Sequence, residues 1–312
     1  MKVNNLDNLL DYEKAQILLL KYESECGLSP NFKIEKIERH LVLSPKTYAL
    51  RYEIRDNNLT KIIRLNASSE ETRIRAYHVM KLIKDDFSGP IYLIPKVYFY
   101  DPEYNLVVYE NIEGGLLIDQ LKDQNLEEKI ALSGQWLRKL HLLKVDFEEP
   151  LPTHEVYFNF EALGKFYPDL AKQGDNILKE LKGKLENEEQ SLIHCDYQPT
   201  NIIIDNKKIF VIDFNDSQLG NPSLDVAKFL TQFKVMLTRF GDIKKYDNCK
   251  NIFLANYNLK YSQNNFKIYS AYYYLQILCS LASSFTSEWS DDSKEAKETL
   301  PIIYQYWQES NE

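Results

Sequence analysis

Residues 194–215 read HCDYQPTNIIIDNKKIFVIDFN. The apolar triplets Ile202-Ile203-Ile204 and Phe210-Val211-Ile212, split by Asp205-Asn206-Lys207, predict a short strand hairpin. Polar residues edge it: His194, Asp196 and Asn201 just before the first strand and Asp213 just after the second. Antiparallel pairing brings those two ends together, so a loop carboxylate, a loop amide and a carboxylate from the opposite strand end are expected to converge. Such oxygen donors suit a hard cation such as Mg²⁺, which keeps part of its water and takes other ligands from phosphates. Asn201 and Asp213 are the candidate ligands. Pro199 fixes the backbone of the loop, and Asp196 then stands as a carboxylate placed to accept a proton rather than to bind metal.

On either side of this hairpin the periodicity differs. Upstream, the segments IEKIERHLVL, TYALRYEIR and TKIIRLN within Phe32–Asn66 are short and rich in β-branched and aromatic residues, and they predict three antiparallel strands. One amphipathic helix is expected over 5–25 before them, and one over 70–84 after them. Two more strands follow in KVYFYDPEYNLVVYE, around Asp101-Pro102. Beyond Gly114-Gly115 the spacing is helical over 126–145, most of 160–186 and 223–310, with the hairpin as the exception. The expected organisation is α+β in two lobes. Residues 1–112 form an N-terminal helix and a small antiparallel-sheet lobe, and 113–312 a larger, mainly helical lobe.

Composition narrows the function classes. The 312 residues include 38 Lys and Arg against 46 Asp and Glu, a formal charge of −8. Such a surface repels phosphate backbones and anionic lipid, and no basic run offsets it, so neither a nucleic acid nor a membrane is the expected partner. Cys26, Cys195, Cys249 and Cys279 are scattered, with no C-x-x-C pair, which fits reduced thiols and a cytoplasmic location. The acids Asp7, Asp11 and Glu13 interrupt any apolar leader. Ile268–Ser287 is uncharged and long enough to span a bilayer, yet its tyrosine hydroxyls, Gln276 and serines fit a buried helix better.

The ordered trio HCDYQPTN (194–201), IDFN (212–215) and GNPSLD (220–225) resembles the catalytic loop, metal-binding segment and following helix start of aminoglycoside phosphotransferases and choline-kinase-like small-molecule kinases. Protein kinases fit less well, since their long activation segment has no room between Asp213 and Asp225. The resemblance extends over roughly 30–230. It implies a protein-kinase-like fold, ATP and Mg²⁺ as cofactors, and transfer of the γ-phosphoryl group to a hydroxyl of a small molecule of the aminoglycoside, choline or ethanolamine, sugar or amino-alcohol type. It casts Asp196 as the catalytic base and Asn201 and Asp213 as the metal ligands. NLVVYENIEGG (105–115) resembles the last small-lobe strand entering the hinge, so backbone groups from Glu110 to Ile112 would pair with adenine. Ser44, in LSPKT, would offer a hydroxyl and N–H to phosphate. Arg64, in KIIRLN, stands where the family places a phosphate-binding Lys, with Lys61 as the alternative cation. Gln198 and Asn215 depart from the residues common at their positions, and no acid is placed on the 70–84 helix to pair with Arg64. These departures motivate a second reading, a weakly active or inactive kinase-like nucleotide-binding or scaffold protein.

Plainer roles are expected for several neighbours. His194 shapes its loop, Asp225 lies buried beneath the loop or caps the following helix, and His141 is a core histidine. Cys195 is a packed thiol, and the tyrosines of 269–274 belong to the core. Glu288, Asp291 and Asp292 are acids that a cationic substrate could use, or a solvated loop.

Overall fold

The computed structural model describes residues 3–40, 46–70, 72–145, 158–185, 190–258, 263–284 and 293–311. After a 3-10 turn at Leu6–Leu10 come α1 (Tyr12–Lys21), α2 (Glu23–Cys26), β1 (Lys33–His40), β2 (Thr47–Asp56), β3 (Leu59–Ser68), α3 (Ile74–Ile83), β4 (Tyr92–Leu93), β5 (Val97–Asp101), β6 (Leu106–Glu110) and β7 (Gly115–Leu116). The chain continues through α4 (Leu126–His141), α5 (Phe160–Gly164), α6 (Pro168–Leu185), β8 (Ser191–Ile193), β9 (Ile202–Asp205), β10 (Lys208–Val211) and β11 (Gln218–Gly220). It ends in α7 (Ser223–Phe240), α8 (Tyr246–Tyr257), α9 (Gln263–Ser284) and α10 (Ser293–Asn311). Two compact units result. One comprises Met1–Gly115 with Ile203–Ser217, the other Leu116–Ile202 with Gln218–Glu312.

In the first unit an antiparallel sheet runs β1-β2-β3-β6-β5, and a second sheet runs β4-β10-β9-β7 with β4 parallel to β10. Along β3 the period-two alternation buries Ile63, Leu65 and Ala67 in a core shared with Leu19, Tyr52 and Val108, and sends Ile62, Arg64 and Asn66 to the other face. The register sets Arg64 opposite Tyr109 and Asn66 opposite Val107. The single helix expected over 5–25 is instead three segments. Asp11 is extended (φ −85°, ψ 122°) and its side chain accepts from Lys14 N, so it caps a new helix where the pattern read continuity. Gly27, at φ 59°, then stops α2. Between β9 and β10 the chain turns at Asn206, φ 53°, a backbone region that Asn tolerates.

Among its described residues the second unit is mainly helical and carries the β8–β11 ribbon, in which Ile193 pairs with Gln218 and Ser191 with Gly220. A Cβ on Gly134 would stand 2.6 Å from Phe253 O, so only glycine permits α4 and α8 to approach this closely. Leu275 and Leu278 of α9 pack with Ile303 and Trp307 of α10, and Tyr269 and Tyr273 pack with Ala227 of α7. No described helix is long and apolar enough to cross a membrane.

Candidate active site

The loop 194–201 is tied from beneath by one residue. Asp225, in the first turn of α7 and fully buried, accepts from His194 N (2.7 Å) and His141 Nε2 (3.0 Å) at Oδ2, and from Cys195 N (2.8 Å) at Oδ1. His141 completes its pairing by accepting from the Tyr257 hydroxyl at Nδ1, 2.8 Å away. His194 is buried and its Nδ1 accepts from Asp196 N at 3.3 Å, so it shapes the loop from inside. Tyr197 donates to Ser133 O (2.7 Å) and stacks on Trp136. These ties hold Cys195 at φ 66°, a left-handed conformation that costs a side-chain-bearing residue about 1–2 kcal/mol.

What the strained turn presents is Asp196. Its Oδ2 accepts from Gln198 Nε2 (2.8 Å) and Asn201 Nδ2 (2.7 Å), and its Oδ1 pairs with Lys228 Nζ (3.1 Å). A carboxylate has about four lone-pair sites. Three are taken by the chain, and the fourth, on Oδ1, remains for a further donor. Burial works to raise the Asp196 pKa. The charge of Lys228, His194, and the hydrogen bonds from Lys228 and Gln198 outweigh it and hold the carboxyl below its usual range. Lys228 escaped the sequence reading, although a lysine inside the apolar run Val226-Ala227-Lys228-Phe229-Leu230 is the signal that marks it. Asn201, buried in a turn behind Pro199, uses Nδ2 twice, toward Asp196 O and Oδ2, which leaves its Oδ1 as an oxygen donor.

Asp213 belongs to the first unit. It is exposed, sits at φ 67°, and accepts at Oδ1 from Asn215 Nδ2, a contact that gives the departing residue Asn215 a structural reason. It lines a recess with Asn66, Val107, Tyr109 and Asn215. Burial, with the Asp213 carboxylate adding to it, pushes the Tyr109 hydroxyl up to about 12. Asn66 and Asn215 line this recess, and their Oδ1 atoms are buried without hydrogen-bond partners. Met80, Ala76, Pro95 and Phe214 make much of the remaining wall apolar, and a carboxylate with amide carbonyls nearby is a donor chemistry that suits a hard divalent cation.

The other expected nucleotide residues lie mostly in the same unit. Arg64 shares its β3 face with Asn66 and lies across from Tyr109. It is half-buried, with Nε donating to Asn111 Oδ1 at 2.7 Å and Nη1 against His40 Nε2. Lys61, the alternative cation, instead donates to Cys26 O and lies over the Tyr98 ring. Glu110 N–H donates to Lys96 O (2.9 Å) and Asn111 N–H to Ile62 O (3.4 Å), so the sheet already uses these donors. Among the described residues Ile112 makes no such backbone bond, so of the expected hinge residues it keeps both backbone groups available. Ser44, and Glu288, Asp291 and Asp292, lie outside the described residues.

A strand-paired sheet unit, an Asp-bearing loop locked to a buried helix-start Asp, and a second Asp at the end of a hairpin define a phosphotransferase of kinase-like fold. The sequence matches the phosphotransferase enzyme family APH over residues 43–242, more than half of the chain, and the chain belongs to that family. Among solved structures, a choline kinase from Streptococcus pneumoniae is similar at 16% identity, with a TM-score of 0.63 over 95% of this chain and 99% of that one. A spectinomycin phosphotransferase solved with ADP and spectinomycin is similar at 12% identity, with a TM-score of 0.64 over 96% and 98%. A microcompartment-associated aminopropanol kinase is similar at 14% identity, with a TM-score of 0.62 over 96% and 97%. No curated protein matches the sequence.

Proposed function

We propose that this enzyme is a small-molecule kinase that moves the γ-phosphoryl group of ATP to a hydroxyl of its substrate, with Mg²⁺. The observation that carries the reading is Asp196: a carboxylate kept ionised, fixed by three donors, with one lone pair on Oδ1 left over. That lone pair accepts the proton of the acceptor hydroxyl and aims the oxygen, while the loop's ties to Asp225 prevent the carboxylate from turning away. As the oxygen–phosphorus bond forms, the bond from the γ-phosphorus to the bridging oxygen breaks, and the hydroxyl proton resides on Asp196. Bound Mg²⁺ supplies charge neutralisation at the phosphates. Asn201 Oδ1 and Asp213 would hold it, and Asn66 and Asn215 offer further oxygen. Arg64, on the Asn66 and Tyr109 face of β3, would grip phosphate oxygens, and Ile112 would pair with adenine. Ser44 keeps its expected role at the phosphates. Four free cysteines suit a reducing compartment, and we place the enzyme in the cytoplasm.

The family membership and the intact Asp196 network favour turnover over an inactive scaffold. The test is incubation with ATP and Mg²⁺ against a broad panel of hydroxyl compounds, read by mass spectrometry for a phosphate mass gain. Product from at least one acceptor is expected. Nucleotide binding with neither hydrolysis nor product across the panel would instead establish the scaffold reading.

A further inference from the structure

Lys228 has no part in proton removal or metal binding, yet its position is specific. Its Nζ lies 3.1 Å from Asp196 Oδ1, 3.3 Å from Gln276 Oε1 and 5.1 Å from the centre of the Tyr273 ring, and its side chain is 7% exposed. The three partners come from two places: Asp196 from the loop, and Tyr273 and Gln276, one turn apart, from α9. A carboxylate, an amide carbonyl and an aromatic face gathered at one point are the groups with which proteins bind an ammonium ion. Here the ammonium ion is the chain's own.

We propose that Lys228 fills the cation position of the acceptor site from within the protein, so that the enzyme selects hydroxyl compounds carrying no ammonium group beside the reacting hydroxyl. The inference rests on the phosphotransferase reading above. A substrate ammonium approaching Asp196 would meet an ion pair already neutral, with the Tyr273 face taken, and a like charge about 5 Å away. In a partly screened site that repulsion corresponds to roughly a tenfold to hundredfold loss of affinity. A neutral or anionic hydroxyl compound meets no such opposition, and the remaining proton of Nζ is available to donate to a substrate oxygen.

The experiment uses the whole chain and pairs of acceptors that match in shape and differ in charge: choline against 3,3-dimethylbutan-1-ol, and ethanolamine against ethylene glycol. Wild type should favour the neutral member in kcat/KM by about tenfold or more. Lys228→Met should narrow or invert that ratio by about tenfold, mainly through KM, and Lys228→Arg should keep it. A second arm needs no turnover. Lys228→Ala leaves a hole that n-propylammonium fits, so this ion should raise the variant's Tm by about 2 °C or more, with propan-1-ol inert and wild type unresponsive. If Lys228→Ala fails to fold, Lys228→Met, which keeps the stem, carries the acceptor comparison. A wild-type preference for choline or ethanolamine, or a Lys228→Ala variant indifferent to n-propylammonium, overturns the proposal. Absence of product from any acceptor sinks the phosphotransferase reading, and the n-propylammonium arm still decides the cation position.

Discussion

Asp196 and Asp213 are the same residue type at two turns with left-handed backbone, and their surroundings are opposite. Asp196 is half-buried with three side-chain donors on its carboxylate, and its loop is strained at Cys195, a residue poorly suited to φ 66°. Asp213 is exposed, holds the left-handed conformation itself, and stands among amide oxygens that have no donors. The first carboxylate has been aimed, with room for one more hydrogen bond. The second lies exposed at the end of the hairpin, beside a recess lined by amide side chains, the setting proposed above for a cation ligand. The roles proposed for the two acids rest on that contrast in surroundings.

The largest effects test that division. Asp196→Asn keeps the shape and removes the basic oxygen, so transfer should fall by about 10²–10⁴-fold while Mg²⁺-dependent nucleotide binding stays within about twofold. Asp213→Asn should instead lose that binding as well. Calorimetry with MgATP, beside the rate assay, separates the two; identical losses in both variants would erase the distinction. Next comes the anchor. Asp225→Ala strands one buried and one part-buried N–H donor and His141, and should lower unfolding stability by about 3 kcal/mol in urea denaturation, with transfer lost along with the loop.

Lys228→Met sharpens the comparison through pH. In wild type the Asp196 pKa is below its unfolded value, near 3.9, so its contribution to stability is full above that value and disappears as pH falls through the folded pKa. Without Lys228 the largest remaining influence is burial, which raises the pKa. The ionised form then costs stability at neutral pH, and the cost is relieved as pH falls through the raised value. The stability gap between wild type and variant should be widest from neutral pH upward, about 2 kcal/mol, and should close toward pH ~3. That size is below the ~3–5 kcal/mol of a fully buried pair because the Asp196 side chain is 24% exposed. A gap independent of pH would mean that Lys228 acts by packing alone. On the open side, Arg64→Ala should weaken ATP binding by about tenfold and leave adenosine unchanged, since only the nucleotide carries phosphates for a guanidinium fork. Equal losses for both ligands would assign Arg64 to the sheet and not to the site.

How far these features could be read without coordinates depends on the range of the interactions that set them. The hairpin and its polar edges were legible because turn residues and alternation act over a few residues, and Asp225 and His141 proved as expected because a buried acid at a helix start has few alternatives. The break at Asp11 was missed because apolar spacing continues through it and only the capping hydrogen bond stops the helix. The β8–β11 ribbon was missed because each strand has three residues, too few for any period. Lys228 was missed because its partners lie on a distant loop and on α9, and no local pattern encodes that meeting. Arg64 was placed on the correct strand, but its face was fixed by pairing with β6, which slippage by one residue would have reversed.

The smallest prediction concerns the strain that aims Asp196. At most positions alanine is more stable than glycine, because glycine loses more freedom on folding, by about 0.5–1 kcal/mol. At residue 195 the order should reverse. Both Cys195→Ala and Cys195→Gly delete the thiol, so their difference isolates the Cβ at φ 66°. The left-handed cost of a Cβ, about 1–2 kcal/mol, exceeds the entropy term, leaving Gly more stable than Ala by about 0.5–1 kcal/mol. Both variants should retain transfer, since the N–H that Asp225 holds is a backbone group and survives either change. Urea midpoints of the two variants, measured side by side, decide the sign. Alanine ahead of glycine would mean that the loop relaxes out of the left-handed region once the thiol is gone, and that the aim of Asp196 comes from its side-chain donors and not from the strained turn beneath it.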